Sequence, residues 1–272
     1  MTDRNIGFIG LGDMGKPMAR RLLQGGCDVF SCAHRRREAI EELKSEGLVE
    51  CDDPAAVGAK ADILMSVVVD EAQTDRVLRG PSGAFATLRP GSVVVIMSTL
   101  APKYCQDIAA EAASRDIAVL DCPISGGTFG AEQGTLALIL GGDAEAVERC
   151  RPALETMGKI FHCGDVGLGQ VAKLANNAVI IGTTALLWES RNLARSYGLA
   201  PDALMEVLAN STGNSFAVEN WDRFLPMWPH LIDLVLKDMK LCRDAAEASG
   251  AAMPILQANL ALDWEQTRDG SL

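Results

Sequence analysis

The stretch Asn5-Ile6-Gly7-Phe8-Ile9-Gly10-Leu11-Gly12-Asp13-Met14-Gly15 joins a short apolar run to the pattern G-x-G-x-x-G. Asn5–Gly10 carries the Ile and Phe content of a strand. Met14–Leu23 has helical spacing at Met14, Met18 and Leu22, and Gly25-Gly26 is a helix-stop signal. Glycines at such a strand-to-helix turn have a mechanical reading. The first allows the tight turn, the second lets a pyrophosphate approach the backbone, and the third lets helix and strand pack closely. The helix N-terminus adds free N–H groups and positive potential. Gly10, Leu11, Gly12, Asp13, Met14 and Gly15 are therefore the expected phosphate-binding turn of a dinucleotide site.

Outward from this turn, apolar runs alternate with helical patterns. Strands are expected at Cys27–Cys32, Ile63–Val69, Ser92–Met97 and Ile117–Leu120, with helices at Glu38–Ser45 and Pro102–Ser114. Gly134–Gly142 and Ile160–His162 read as further strands. This alternation predicts α/β architecture: an N-terminal Rossmann-type doubly wound parallel sheet covered on both faces. After Gly164 the texture becomes helical, at Gly169–Ser196, Asp202–Leu208, Phe216–Trp221, Leu231–Ala248 and Ile255–Trp264. The expected domains are a dinucleotide-binding domain over 1–163 and a C-terminal all-α domain over 164–272.

An NAD site places an Asp or Glu at the end of the second strand, about 20 residues past the glycines, to hold the ribose 2′-hydroxyl. Here that region reads Ser31-Cys32-Ala33-His34-Arg35-Arg36-Arg37. The acid is replaced by a basic run, and guanidinium groups pair bidentately with phosphate. His34, Arg35 and Arg36 are the expected contacts, and NADP(H) is expected over NAD(H). Val69, where another strand is expected to end, falls at the sheet edge where ligands of such folds bind.

Composition narrows the class. Lys and Arg number 25 against 36 Asp and Glu, a net charge of −11, and Arg35-Arg36-Arg37 is the longest basic stretch. A nucleic-acid partner is not expected. The apolar runs Ala61–Val69 and Val93–Met97 stop short of the ~18 residues a membrane helix needs, so no membrane partner is expected. The start, Met-Thr-Asp-Arg before a brief apolar run, does not read as a secretory signal. Eight cysteines lack any CxxC pair and only three histidines are present. No metal site is expected, and the thiols read as buried residues of a reducing cytoplasm.

Three further segments complete an ordered set. They are Asp121-Cys122-Pro123-Ile124-Ser125-Gly126-Gly127 with Gly130-Ala131 and Gly134-Thr135-Leu136; Gly164-x-x-Gly167-x-Gly169-x-x-x-Lys173-x-x-Asn176-Asn177; and Lys237-Asp238-Met239. With the glycine turn, their order and spacing from residue 5 to about 250 resemble the β-hydroxyacid dehydrogenase family. That family includes 3-hydroxyisobutyrate dehydrogenases, tartronate semialdehyde reductases, glyoxylate/succinic semialdehyde reductases and, more distantly, 6-phosphogluconate dehydrogenase. The resemblance implies an oxidoreductase that interconverts a short β-hydroxyacid and its semialdehyde, or reduces a small 2-oxo acid.

The residues support that carry-over. Ser125, Gly126 and Gly127 offer a small hydroxyl and two unhindered N–H groups, an anion cradle suited to a substrate carboxylate. Lys173 and Asn177 are four apart on a helix and share a face, and Gly169, one turn earlier, is expected to leave room for a ligand. The resemblance makes Lys173 the general acid/base, which requires burial to lower its pKa. Asn177 is expected to bind the substrate hydroxyl or orient Lys173. Thr99 matches the family position beside the nicotinamide ribose, Lys237 a cofactor-contacting lysine, and Asp238 a pocket-side acid.

Two departures stand out. His230 occupies the place, eight residues before the Asp238 acid, where family members often carry Phe; it is a candidate substrate contact. The segment Trp264–Leu272 lacks the family's glycine-rich ending. Apolar Leu186, Leu187 and Trp188 predict subunit contact, giving a homodimer or homotetramer through the helical domain. Two other readings exist: an imine reductase-like enzyme on the same fold, which Lys173 disfavours, and a non-catalytic NADP-binding protein.

Overall fold

Alternate residues of the expected strands are apolar on both sides, a pattern that suits a sheet with two covered faces. The computed structural model describes residues 5–34 and 37–264. Its first half runs β1 (Asn5–Ile9), α1 (Gly15–Gln24), β2 (Asp28–Cys32), α2 (Glu38–Lys44), β3 (Val49–Cys51), α3 (Pro54–Gly58), β4 (Ile63–Ser66), α4 (Glu71–Leu78), β5 (Val93–Ile96), α5 (Pro102–Ala113) and β6 (Ala118–Asp121). The six strands form one parallel sheet in the order β3-β2-β1-β4-β5-β6. Strand order reverses between β1 and β4, which makes that gap the switch point where ligands of such sheets bind.

Ile6, Phe8, Val29, Ile63, Met65, Val93 and Val95 face one core with Met18 and Leu22 of α1 and Ile40 and Leu43 of α2. Ile9, Leu64, Val94, Ile96 and Val119 face the other, with Val57 of α3, Leu78 of α4 and Ile108 of α5. These side chains are almost wholly buried, each contributing roughly 1.5–3 kcal/mol.

A second sheet follows, from β7 (Ile124–Ser125), α6 (Gly127–Gln133), β8 (Leu136–Leu140), α7 (Ala144–Leu154) and β9 (Gly158–His162). β7 is antiparallel to β8 and β8 parallel to β9. The chain then becomes helical: α8 (Leu168–Ser196), α9 (Pro201–Ala209), α10 (Phe216–Glu219), α11 (Trp221–Ser249) and α12 (Pro254–Leu260). Two compact units result, 1–173 and 174–272, divided inside α8 just after Lys173. Ile181, Trp221, Trp228, Ile232 and Met239 lie at the core of the second unit.

Three local expectations need correction. The helical segments expected separately at Phe216–Trp221 and Leu231–Ala248 are not divided where expected; α11 runs from Trp221 to Ser249, through Pro226 and Pro229. Each proline removes one helical hydrogen bond, but Trp221, Trp228 and Ile232 are buried on this helix, and Trp228 packs against Trp264 with ring centroids 5.6 Å apart. Tertiary burial outweighs the local loss. Second, β4 stops at Ser66, so Val69 stands three residues beyond the strand, exposed in the loop before α4. Third, α8 is long and apolar enough by length and composition to cross a membrane, although no unbroken apolar run in the sequence suggested one. Its Leu174, Ile181, Ala185 and Leu187 are buried in the core of the helical unit, while Val179, Leu186 and Leu193 are exposed.

Candidate active site

Four of the loops singled out in the sequence emerge at the C-terminal ends of adjacent strands. The glycine turn follows β1, His34 follows β2, Val69 follows β4 and Thr99 follows β5. In sheet order these strands are β2-β1-β4-β5, so the residues bracket the switch point.

The three glycines of the turn have distinct surroundings. Gly10 has φ +107°, and a Cβ there would overlap the Val67 carbonyl oxygen. Gly15 begins α1, and a Cβ there would overlap the carbonyl oxygen of Gly10. These two glycines serve the turn and the helix–strand approach. Around Gly12, by contrast, no described residue beyond its chain neighbours lies within 4 Å of where a Cβ would stand. Gly12 thus faces open space beside the start of α1, whose N-cap residue, Met14, supplies no side-chain cap. Main-chain donors at a helix start with such an open approach fit a pyrophosphate. Leu11 and Asp13 lie in the same turn, and Asp13 is exposed.

His34 is exposed directly after β2. Arg35 and Arg36 lie outside the described residues. Arg37 pairs with Glu41 at 2.7 Å and Glu50 at 2.8 Å, so this third arginine is engaged within the protein. Thr99 is half-buried between Ser98 and Leu100. The Ser98 hydroxyl accepts from the Val68 N–H at 3.1 Å and donates to the Val68 carbonyl at 2.6 Å, which ties the loop after β5 to the loop after β4.

Ser125 ends β7, and Gly126 and Gly127 follow with φ of +130° and +63°. Two consecutive positive φ values are a conformation that glycine adopts without strain. Gly127 has open space around its Cα and Gly126 is likewise exposed, so main-chain donors here are reachable from solvent.

Lys173 is 9% exposed on the second turn of α8. The first turn is anchored by Asp121, the first residue of the Asp121–Gly127 segment. Asp121, at the end of β6, is completely buried; its carboxylate accepts from the Gly167 N–H at 2.6 Å and the Gln170 N–H at 2.7 Å. Burial raises its pKa, opposed by those N–H donors. Asp121 therefore caps the start of α8 from 46 residues away in sequence, a distance at which no local spacing signals a cap.

Gly169 has a different purpose from the one expected. A Cβ there would lie 2.7 Å from Asp121 Oδ2 and 2.8 Å from the Gly141 nitrogen. Protein fills that space, so Gly169 admits the helix close to the sheet rather than leaving room for a ligand.

Within the helical unit, Asn177 and Asp238 are both buried, at 8% and 6% exposed. The Asn177 amide donates to Asp238 Oδ2 at 2.7 Å, and its carbonyl oxygen accepts from Asn176 at 3.2 Å. Lys237 pairs with Asp238 Oδ1 at 3.1 Å. The amide orientation of Asn177 is thus set from both sides. His230 lies two turns earlier on α11, is exposed, and takes no part in these three contacts.

Known proteins resemble this chain along its length. A family model described as the NAD binding domain of 6-phosphogluconate dehydrogenase matches residues 5–167. A second, described as NAD-binding of NADP-dependent 3-hydroxyisobutyrate dehydrogenase, matches residues 167–270. An NAD-dependent L-serine dehydrogenase of Pseudomonas aeruginosa is 35% identical over 95% of this chain and 91% of its own length. A 3-hydroxyisobutyrate dehydrogenase of the same organism is 35% identical over 94% of this chain and 89% of its own. Among solved structures, Mycobacterium tuberculosis 3-hydroxyisobutyrate dehydrogenase with L-serine superposes with a TM-score of 0.85 at 30% identity, covering 100% of this chain and 96% of that one.

Proposed function

Because the chain belongs to the β-hydroxyacid dehydrogenase family of NAD(P)-dependent oxidoreductases that act on CH–OH groups, we propose that it interconverts a short β-hydroxyacid and its semialdehyde, or a small 2-oxo acid and its alcohol, with NADP(H) and with Lys173 as general acid/base. The observation that carries this reading is a buried lysine on α8, one helical turn before a buried asparagine whose amide is held in orientation.

A nicotinamide cofactor held at the glycine turn after β1 would supply or accept the hydride. Lys173 Nζ gives a proton to the alkoxide that develops during reduction, and takes the hydroxyl proton in oxidation. Burial supports this role because it keeps the Lys173 Nζ shielded from bulk water. Asn177 keeps one amide hydrogen for substrate after its bond to Asp238. Ser125, Gly126 and Gly127 receive the substrate carboxylate, and the Lys237–Asp238 pair orders the cofactor-side lysine.

Preference for NADP(H) rests on the end of β2. Ala33 and His34 stand where a ribose-binding acid belongs, and Arg35 and Arg36 follow. A subunit partner is a second copy of the chain: Val179, Leu186 and Leu193 are exposed along one stripe of α8, and α9 buries no residue of its own. None of the eight cysteines is joined in a disulfide, which supports a reducing cytoplasm.

The test is oxidation of NADPH and NADH, followed at 340 nm, against a panel of semialdehydes and 2-oxo acids. The expected result is turnover with NADPH that falls at least 100-fold in Lys173→Ala while cofactor binding persists. Turnover that survives Lys173→Ala, or runs better with NADH, overturns the corresponding part of the reading.

A further inference from the structure

Gln170 lies on the first turn of α8, three residues before Lys173, and its side chain is completely buried. Its carboxamide oxygen accepts from the Leu100 N–H at 3.0 Å, and its carboxamide nitrogen donates to the Ser98 carbonyl at 2.9 Å. Those two main-chain groups flank Thr99. The main-chain N–H of Gln170 is held by Asp121. One residue thus joins the loop after β5 to the turn of helix that presents Lys173, and all of these groups lie within the first compact unit.

We infer that Gln170 is a positioning residue for the reaction: it locks the Thr99 loop to the first turn of α8 and so sets the placement of Lys173 relative to the nicotinamide side of the cofactor site. This inference rests on the acid–base reading of Lys173 given above. The chemistry requires an amide. Only a group with an acceptor and a donor fixed side by side can satisfy both Leu100 and Ser98. A carboxylate would set a second oxygen against the Ser98 carbonyl, whereas a protonated carboxyl would restore the donor. A misplacement of about 1 Å at such a site costs on the order of 100-fold in rate.

The experiment compares wild type with Gln170→Met and Gln170→Glu. Gln170→Met is expected to lower kcat by about 10- to 100-fold, with substrate KM within about threefold. The primary isotope effect from deuterated NADPH should rise as hydride transfer becomes limiting. Independently of turnover, the Leu100 amide should exchange hydrogen faster once its acceptor is gone. Gln170→Glu should recover kcat and Leu100 protection as pH falls toward about 5, where the buried carboxyl takes up its proton; Gln170→Met should show no such recovery. If Gln170→Met does not fold, Gln170→Glu assayed at two pH values in one preparation makes the same comparison. A kcat within twofold of wild type, unchanged Leu100 exchange, or a lowered Tm with unaltered kcat overturns the inference. Activity that survives Lys173→Ala overturns the acid–base reading instead, and Leu100 exchange still reports the lock separately.

Discussion

Asn177 on α8 donates its side-chain amide to Asp238 on α11 at 2.7 Å, and both side chains are more than nine-tenths buried. A neutral amide facing a buried carboxylate that also pairs with Lys237 makes this corner of the helical unit sensitive to charge. Replacing Asn177 by Asp would put two carboxylates in hydrogen-bond contact, and one of them must then hold a proton. Asn177→Asp should therefore lower the Tm at pH 8 and regain part of the loss near pH 5. Asp238→Ala should cost about 1–3 kcal/mol at either pH, since it leaves the Asn177 amide without its acceptor. Thermal melts of the two variants at both pH values check this pair of outcomes.

The glycine turn separates folding from binding. Gly12→Ala adds a methyl where no described residue beyond its chain neighbours lies within 4 Å, at a φ that alanine tolerates. It should melt within about 0.5 kcal/mol of wild type while weakening NADPH at least tenfold, because the methyl occupies the pyrophosphate approach. Gly15→Ala forces a methyl into the Gly10 carbonyl and should destabilise the fold outright. Fluorescence titration of NADPH beside a urea melt distinguishes the two; equal behaviour of both variants would contradict the assignment.

Cofactor choice should follow the charge after β2. Arg35→Ala with Arg36→Ala is expected to raise the Kd for NADPH tenfold or more while changing that for NADH less than threefold, since only NADPH carries the 2′-phosphate. The wild-type affinity for NADPH should also fall more steeply with salt than that for NADH. Calorimetric titration with both cofactors measures these differences.

Thiol reactivity near the same strand end follows from burial. The Cys32 thiol is pushed up to about 11, first by burial and then by Cys51 and Asp53. At pH 8 only about one such thiol in a thousand is ionised, against a sizeable fraction of an unfolded cysteine. Alkylation of Cys32 in the folded protein should therefore be slow at pH 8 and accelerate about tenfold per pH unit up to about 11. Mass-spectrometric rates at three pH values test it, and a pH-independent rate would show that local opening governs reactivity.

The correspondence between sequence and structure differs from element to element for physical reasons. β1, α1 and the turn between them were legible because their constraints are local. Apolar content marks the strand, helical spacing marks α1, and a glycine pattern marks a turn where Gly10 and Gly15 have no room for a Cβ. The parallel sheet followed from repetition of that unit. Two reversals at the level of single residues came from tertiary contacts. Gly169, expected to open a space, is pressed against Asp121 and Gly141. Pro226 and Pro229, which fall between the helical segments expected at Phe216–Trp221 and Leu231–Ala248, sit inside one helix whose tryptophans are buried.

By itself the sequence determined the backbone-limited features: the glycine turn, the doubly apolar strands, the basic run after β2 and the shared face of Lys173 and Asn177. All are short-range, since a residue's conformational freedom and its neighbours at i+3 or i+4 do not depend on the rest of the chain. Only the tertiary structure decided which distant groups complete them. Asp121 caps a helix 46 residues downstream, Gln170 brackets Thr99 across about 70 residues, and Asp238 holds Asn177 across 61. Buried polar groups must find partners wherever the fold delivers them, and that delivery is set by how the chain folds back on itself, which sequence spacing does not encode.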